Sequence, residues 1–442
     1  MAEGGMIMNF ILVVLDSFRQ DHLGCYGNNW ISTPNIDSFA AESAIFENIR
    51  SEALPTIPVR RTLCTGKRVF PFEDSPQPKG LYVKRRGWRP LRESDVTVAE
   101  ALREQGYVTG VIADTYHMFK PTMNFHRGFD CWQWIRGQEY DMYKSQPLEG
   151  VDLGRYTKPG MNTRVLEQYL KNAAGRKDEK DYQAPKVFQA AMNWLEENYS
   201  HEKFFLWVDS FDPHEPWDPP AQYVDMYDPG YRGVDIIYPV GVRVDQLTPE
   251  ELKHMRSLYA GEVTMVDHWF GRFVDKIREL GLMENTVVVL LSDHGKLHGE
   301  HGLIGMAAQY VYTELYNVPF LIRHPKGEGS GKHISALGYN YDLIPTIFNL
   351  MNAKPPSDLD GMDLWPLVRG EKTEPRDHLI CAHDQYVSVW THKWLYAQGP
   401  EAWGCRLYDL ENDPAQNINA ANDFPDTANV MQHMIERFLG RN

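Results

Sequence analysis

Three things are scarce in this sequence of 442 residues. Cysteine is the first: Cys25, Cys64, Cys131, Cys381 and Cys405 are odd in number, widely scattered and without a CxxC pair. That spacing speaks against a disulfide framework or a structural zinc site and suits reduced thiols in a cytosolic setting. Long apolar runs are the second. Residues 9–16 (NFILVVLD) are apolar but far too short to span a bilayer, and no basic n-region leads into them. A cytoplasmic protein without a membrane partner is therefore expected. Positive charge is the third: 45 Lys and Arg face 60 Asp and Glu, a net charge of -15. Such a balance excludes a broad nucleic-acid or anionic-membrane surface. It leaves room for an anionic small molecule, because a few convergent cations in a cleft outweigh a distant negative field.

What is present reads as globular: 43% hydrophobic and 24% charged residues, without internal repeats. Short apolar β-branched runs at 10–15, 44–49, 107–113, 204–208 and 286–291 alternate with helical periodicity at 96–105, 185–199 and 249–280. Alternation of this kind predicts an α/β fold, a large, mixed but mostly parallel sheet sandwiched by helices. The Pro-rich joint 354–357 marks a boundary. Residues 7–353 are expected to form the catalytic unit and 376–442 a small C-terminal α+β domain. The segments 70–95 and 132–162 are turn-rich, aromatic and basic, and are expected to wall a pocket. The basic run 84–86 with Arg89 and Arg92 reads as a solvated loop, with contact to an anionic substrate tail as the alternative.

Asp16, Asp114, Asp209 and Asp293 each follow an apolar strand, and Asp293 is followed by His294. One strand-end Asp is usually a turn former. Four of them, at the carboxyl ends where open α/β sheets bind ligands, point to chemistry. In LPTIPVRRTLCTG (54–66), Thr56 precedes Pro58 and so falls at a helix N-terminus, where the free N–H groups favour negative charge. A hydroxyl there, beside a divalent metal, is placed to act as a nucleophile; by itself it would read as an N-cap.

These segments occur with DPHEP (212–216), NTVVVLLSDHGKLHGEHG (285–302), LDGMDLWPLVRG (359–370) and LYDLENDP (407–414). In that order and spacing they resemble the sulfatase family of the alkaline-phosphatase superfamily, along nearly the whole chain. The resemblance implies an ester hydrolase of the kind represented by arylsulfatases and phosphonate monoester hydrolases. It implies Asp16, Asp293, His294 and Thr56 as ligands of one divalent metal ion (Mn²⁺, Ca²⁺, Mg²⁺ or Zn²⁺). It implies Thr56 as nucleophile, with Arg60, His117 and His214 orienting it, binding oxyanion oxygens or protonating the leaving group. A second metal, held by Asp209, Asp212, His214 and His383, is the less favoured arrangement.

The departures from the family pattern are as informative. Thr56 stands where sulfatases carry the Cys or Ser that matures to formylglycine, and Ser17 replaces a second aspartate. Thr115 and Met306 replace two lysines. Thr115, His298 and His301 are then expected to contact the substrate. Loss of two cations penalises a dianionic phosphate monoester most, since each hydrogen bond to a charged group contributes roughly 1.5–3 kcal/mol. A monoanionic ester is expected, with a phosphodiester or phosphonate monoester favoured over a sulfate ester. The rival is a binding-only family member. Enzymes of this size are often symmetric homo-oligomers.

Overall fold

The computed structural model describes residues 8–73, 83–159, 161–356, 358–371 and 376–441. Its strands are, in chain order, β1 (Asn9–Leu15), β2 (Ala44–Arg50), β3 (Ala53–Leu54), β4 (Val108–Ala113), β5 (Cys131–Trp134), β6 (Phe204–Ser210) and β7 (Thr286–Ser292). A short hairpin of β8 (Leu297–His298) and β9 (Ile304–Gly305) precedes β10 (Phe320–Arg323) and β11 (His333–Tyr339). The last four are β12 (Leu379–His383), β13 (Tyr386–Trp390), β14 (Trp394–Gln398) and β15 (Cys405–Asp409).

The main sheet has eight strands in the order β11-β2-β10-β7-β1-β6-β4-β5. All its pairings are parallel except those of β10, which runs antiparallel to both β2 and β7. The expectation of a mixed, mostly parallel sheet is met. The apolar runs explain why it is covered on both faces. Phe10, Leu12 and Val14 pack into one core, with the helices Thr56–Thr65 and Leu343–Leu350. Ile11, Val13 and Leu15 pack into the other, under Gln183–Asn198 and Pro249–Glu279. Each strand of this kind must be apolar at every position, which is the pattern the sequence carries. Thr248 caps the long helix through a capping box with Glu251. Among the described residues no helix is long and apolar enough to cross a membrane.

Two features depart from the sequence reading. The start of the segment 132–162, expected to be pocket wall, belongs instead to the edge strand β5, paired with β4, with three of its four residues exposed. Exposure left no apolar alternation to read. The five-stranded sheet, β15-β14-β13-β12-β3, takes its edge strand from Ala53–Leu54, far upstream of residue 376. One face of this sheet (Ile380, Ala382, Val389, Tyr396) packs under the helix Pro425–Phe438. Its other face (Leu379, Cys381, Trp390, Leu395) joins the main core. Because β3 leads straight into Pro55 and Thr56, the helix carrying Thr56 starts at the seam between the two sheets.

The segment between the short helix Ala221–Val224 and the long one is irregular and is tied down by His254. His254 Nδ1 lies 3.0 Å from Asp228 Oδ2, and its Nε2 lies 3.0 Å from Asp235 Oδ1. Its ring stacks on Tyr231 at 3.7 Å. Truncating His254 to Ala removes two hydrogen bonds to carboxylates, each contributing about 1.5–3 kcal/mol. Because the tied segment supplies Tyr238, Val240, Val242 and Arg243 to the cavity described next, His254→Ala is expected to raise KM several-fold while kcat changes little. Steady-state kinetics on the two proteins checks this; a kcat loss at unchanged KM would refute it.

Candidate active site

All the strand-end acids except Asp114 converge on one buried guanidinium. Arg60, one turn into the helix that Thr56 opens, is fully buried. It grips Asp209 with two hydrogen bonds, Nε to Oδ2 at 3.1 Å and Nη2 to Oδ1 at 2.9 Å. Its Nη1 lies 3.1 Å from Asp16 Oδ2 and also contacts Asp293 Oδ2. Three buried carboxylates hold one cation. Burial and the neighbouring Asp293 push the Asp16 carboxyl well up. Burial also acts on Asp293, but Arg60 and His294 outweigh it and hold that carboxyl down.

Asp16, Asp293 and His294 offer ligand atoms that lie within 4.8 Å of one another, and all three residues are buried. Three of the four expected metal ligands are thus brought together. Their chemistry fits a divalent cation. His294 Nδ1 donates to the Gly295 carbonyl at 3.0 Å, which leaves the Nε2 lone pair facing the carboxylates. Asp16 Oδ2 and His294 Nε2 are buried without a hydrogen-bond partner. Burial lowers the His294 pKa and so favours the neutral, ligating form. Ser17 braces the pair: its N–H donates to Asp293 Oδ1 and its hydroxyl to Asp16 Oδ1, each at 2.9 Å. Ser17 adopts a left-handed backbone (φ 58°), which the strand-end turn requires.

Gly295 fixes the turn after His294. A Cβ on it would collide with the Glu314 carbonyl oxygen. Backbone cannot retreat as a flexible side chain does, so Gly295→Ala is expected to displace His294. We expect metal affinity to fall about 10–100-fold, as when the groups that orient a ligand are lost. Titration with the metal, read by calorimetry, would show it; unchanged affinity would mean that the turn can yield.

A cavity of about 410 Å³ opens beside this cluster, lined among others by Thr56, His117, His214, Arg85, Glu139 and Glu215. Thr56 is the first residue of its helix, with Pro55 as N-cap, so the capping role is not its own. Among the described residues its hydroxyl has no hydrogen-bond partner. His214 Nδ1 donates to the Glu215 carbonyl at 2.7 Å, leaving Nε2 as an acceptor. His117 stands edge-on to Trp88 at 4.8 Å, with Nε2 3.9 Å from Glu139 Oε2. Burial drives the pKa of both histidines well down. Val83, Trp88, Val240, Ile304, Met306 and Tyr310 form an apolar wall.

Several expected residues lie elsewhere. Thr115 does not line the cavity; its hydroxyl donates to Asp209 Oδ1 at 2.5 Å. His298 is buried against Tyr259 (4.1 Å) and Trp217 (5.1 Å), and His301 stacks on Tyr312 at 3.7 Å and faces Glu314. None of these three, expected as substrate contacts, lines this cavity. Arg60 likewise serves the carboxylates and does not line the cavity. The four residues of the alternative second metal site are not assembled. Asp209 is taken by Arg60, and Asp212 by Gln138 (2.6 Å) and the Ala184 N–H (2.9 Å). His383 Nε2 accepts from Arg85 at 2.8 Å.

Sequence reasoning gave Arg85 only as the less favoured alternative and missed Lys296. Arg85 sits in the basic run read as solvated loop, yet it lines the cavity. The apolar neighbours Val83 and Trp88 were the signal, since a loop that carries them has a buried side. Lys296, next to the His294–Gly295 turn, is buried and forms an ion pair with Glu215. Burial lowers its pKa to about 7, against the pull of Asp16 and Glu139. Its place directly after Asp293–His294 in the sequence was the available clue.

A hydroxyl, two neutral imidazoles and a carboxylate–imidazole metal cluster, at the strand ends of a doubly covered sheet, define an enzyme that hydrolyses ester bonds. The chain belongs to the sulfatase family, whose model matches residues 8–353. A second model, the C-terminal region of N-sulphoglucosamine sulphohydrolase, matches residues 299–441. The chain is 25% identical to an arylsulfatase of Clostridium perfringens, over 94% of this chain and 90% of that one. It is 27% identical to a ulvan-active sulfatase of Formosa agariphila, over 93% of this chain and 76% of the other. The phosphonate monoester hydrolase of Agrobacterium radiobacter shares the fold, with a TM-score of 0.76 at 22% identity, covering 98% of this chain and 95% of that one.

Proposed function

We propose that this enzyme hydrolyses a small monoanionic ester, with a phosphodiester or phosphonate monoester favoured, through Thr56 as nucleophile. The observation that carries the reading is the Thr56 hydroxyl, which lines the cavity with no hydrogen-bond partner among the described residues, at the head of a helix that presents free N–H groups. One divalent cation, held by Asp16, Asp293 and His294 with Thr56 as a further ligand, would supply Lewis-acid charge for activating the hydroxyl and polarising the ester. The Thr56 hydroxyl gives its proton to His214 or His117, which burial keeps neutral and therefore able to accept it. Oγ1 bonds to the central atom as the bond to the departing oxygen breaks, and that oxygen leaves with a proton from the same pair. Water then cleaves the threonine ester.

Charge selects the monoanion. Glu139 and Glu215 line the cavity beside Arg85 and Arg243; Arg243 is matched by Asp245, Lys296 by Glu215 and Arg60 by three aspartates. Little uncompensated positive charge is left to hold two negative charges. Phosphorus is favoured over sulfur because threonine lacks the aldehyde-forming exit of formylglycine hydrate, so its ester must be opened at the central atom. Attack at phosphorus is the easier case. A sulfate ester is the second reading, supported by the sulfatases among the relatives.

Metal-reconstituted enzyme is to be assayed on aryl phosphodiester, aryl phosphonate monoester, aryl sulfate and aryl phosphate. One of the first two is expected to give the highest kcat/KM. If aryl sulfate leads, the enzyme is a sulfatase that works without formylglycine. If aryl phosphate leads, the charge argument fails.

A further inference from the structure

A second cavity, of about 250 Å³, lies behind the segment that walls the first. Gly87 and Arg89 line it, whereas Arg85 and Trp88 of the same segment line the active-site cavity. In a chain of net charge -15, five cations converge here: Arg61, Lys67, Arg68, Arg89 and Arg92. The two acids beside them are already engaged. Glu73 pairs with Arg92 at 2.7 Å, and Asp360 Oδ2 accepts from the Arg68 backbone N–H at 3.0 Å.

Arg61 is the decisive residue. The residue is buried, at 8% exposure, yet it forms no ion pair with a carboxylate among the described residues. Its one hydrogen bond runs from Nη1 to the Gly87 carbonyl at 3.3 Å, and its Nε is buried without a partner. Asp95, Glu73 and Glu52 attract it through space without reaching ion-pair contact, and a buried guanidinium with no carboxylate in contact is costly unless a ligand supplies the charge. Lys67, at the mouth, likewise makes no ion pair among the described residues.

We propose that this cavity binds a small tetrahedral dianion, inorganic phosphate or sulfate, at a site separate from the catalytic one. The guanidinium fork matches oxyanion geometry, and each charge-assisted hydrogen bond is stronger than a neutral one. Nothing in this assignment depends on Thr56 being the nucleophile.

The test is calorimetric titration of the full-length enzyme with inorganic phosphate, sulfate and acetate. Lys67→Gln/Arg68→Gln, whose sites lie at the surface, and Arg61→Gln are compared with the unaltered chain, their folding checked by circular dichroism. The unaltered enzyme is expected to show a phosphate-binding event that a substrate-competitive inhibitor does not displace. That event should weaken roughly 10–100-fold in the double variant, while kcat/KM measured without phosphate stays within about twofold. Phosphate binding that is unchanged in the double variant overturns the proposal, as does binding wholly displaced by the inhibitor. Acetate binding as tightly as phosphate overturns the assignment to a tetrahedral dianion.

Discussion

Thr56→Ala is expected to lower kcat by roughly three to six orders of magnitude, with Thr56→Ser keeping most of the turnover. Removal of a nucleophile that acts in concert with its base leaves only binding and electrostatic stabilisation, hence the size of the loss. The methyl group of threonine takes no part in the chemistry, so serine is the discriminating control. Thr56 is buried, and its replacement by alanine opens only a small void; the fold should survive, which thermal denaturation would confirm. A burst of product equal to the enzyme concentration, present in Thr56→Ser and absent in Thr56→Ala, would report the covalent step directly. Turnover by Thr56→Ala within about tenfold of the unaltered enzyme would mean that water attacks the ester unaided by this residue.

The second large effect is on stability. Arg60→Met is expected to cost about 3–5 kcal/mol in the metal-free enzyme, because it strands Asp16, Asp209 and Asp293 as buried acids without a counter-charge. Methionine fills much of the same volume, so the loss would be electrostatic in origin. Divalent cation added at saturating concentration should return part of that stability. A cation bound by Asp16, Asp293 and His294 replaces the lost charge on two of the three acids, and a ligand that binds only the folded state stabilises it. Urea denaturation with and without Mn²⁺ or Ca²⁺ gives both numbers. An unchanged midpoint in Arg60→Met would show that the guanidinium is not the counter-ion. A lowered midpoint that no divalent cation restores would count against the metal cluster.

Much of the fold was legible because it follows from local rules. β1 and β7 are buried on both faces, and only continuous apolar runs such as 10–15 and 286–291 satisfy that requirement. Helical periodicity over 249–280 announced the long helix, which a capping box of Thr248 and Glu251 starts. Strands without such a demand escaped notice: β5 lies at an edge with its side chains exposed, and β3 is two residues long. In the site, Asp16, Asp293 and His294 stood out because each follows a buried strand. Ser17 entered only as a departure from the family pattern, Arg85 as one of a basic run, and Lys296 not at all. Their parts rest on where their hydrogen-bonding atoms end up, which spacing along the chain leaves open.

The sequence by itself determined most of the main sheet, because strand burial is a periodic, local property, and the family, because its motifs stand in the family's order and spacing; that resemblance also implied the candidate metal ligands. Only the tertiary structure decided how charge is distributed around them. It gave Arg60 to three aspartates and Lys296 to Glu215, turned Thr115, His298 and His301 away from the cavity, and left Arg61 facing a second one. Electrostatic energy falls off with distance and grows with burial, and both are set by segments that lie hundreds of residues apart in the chain.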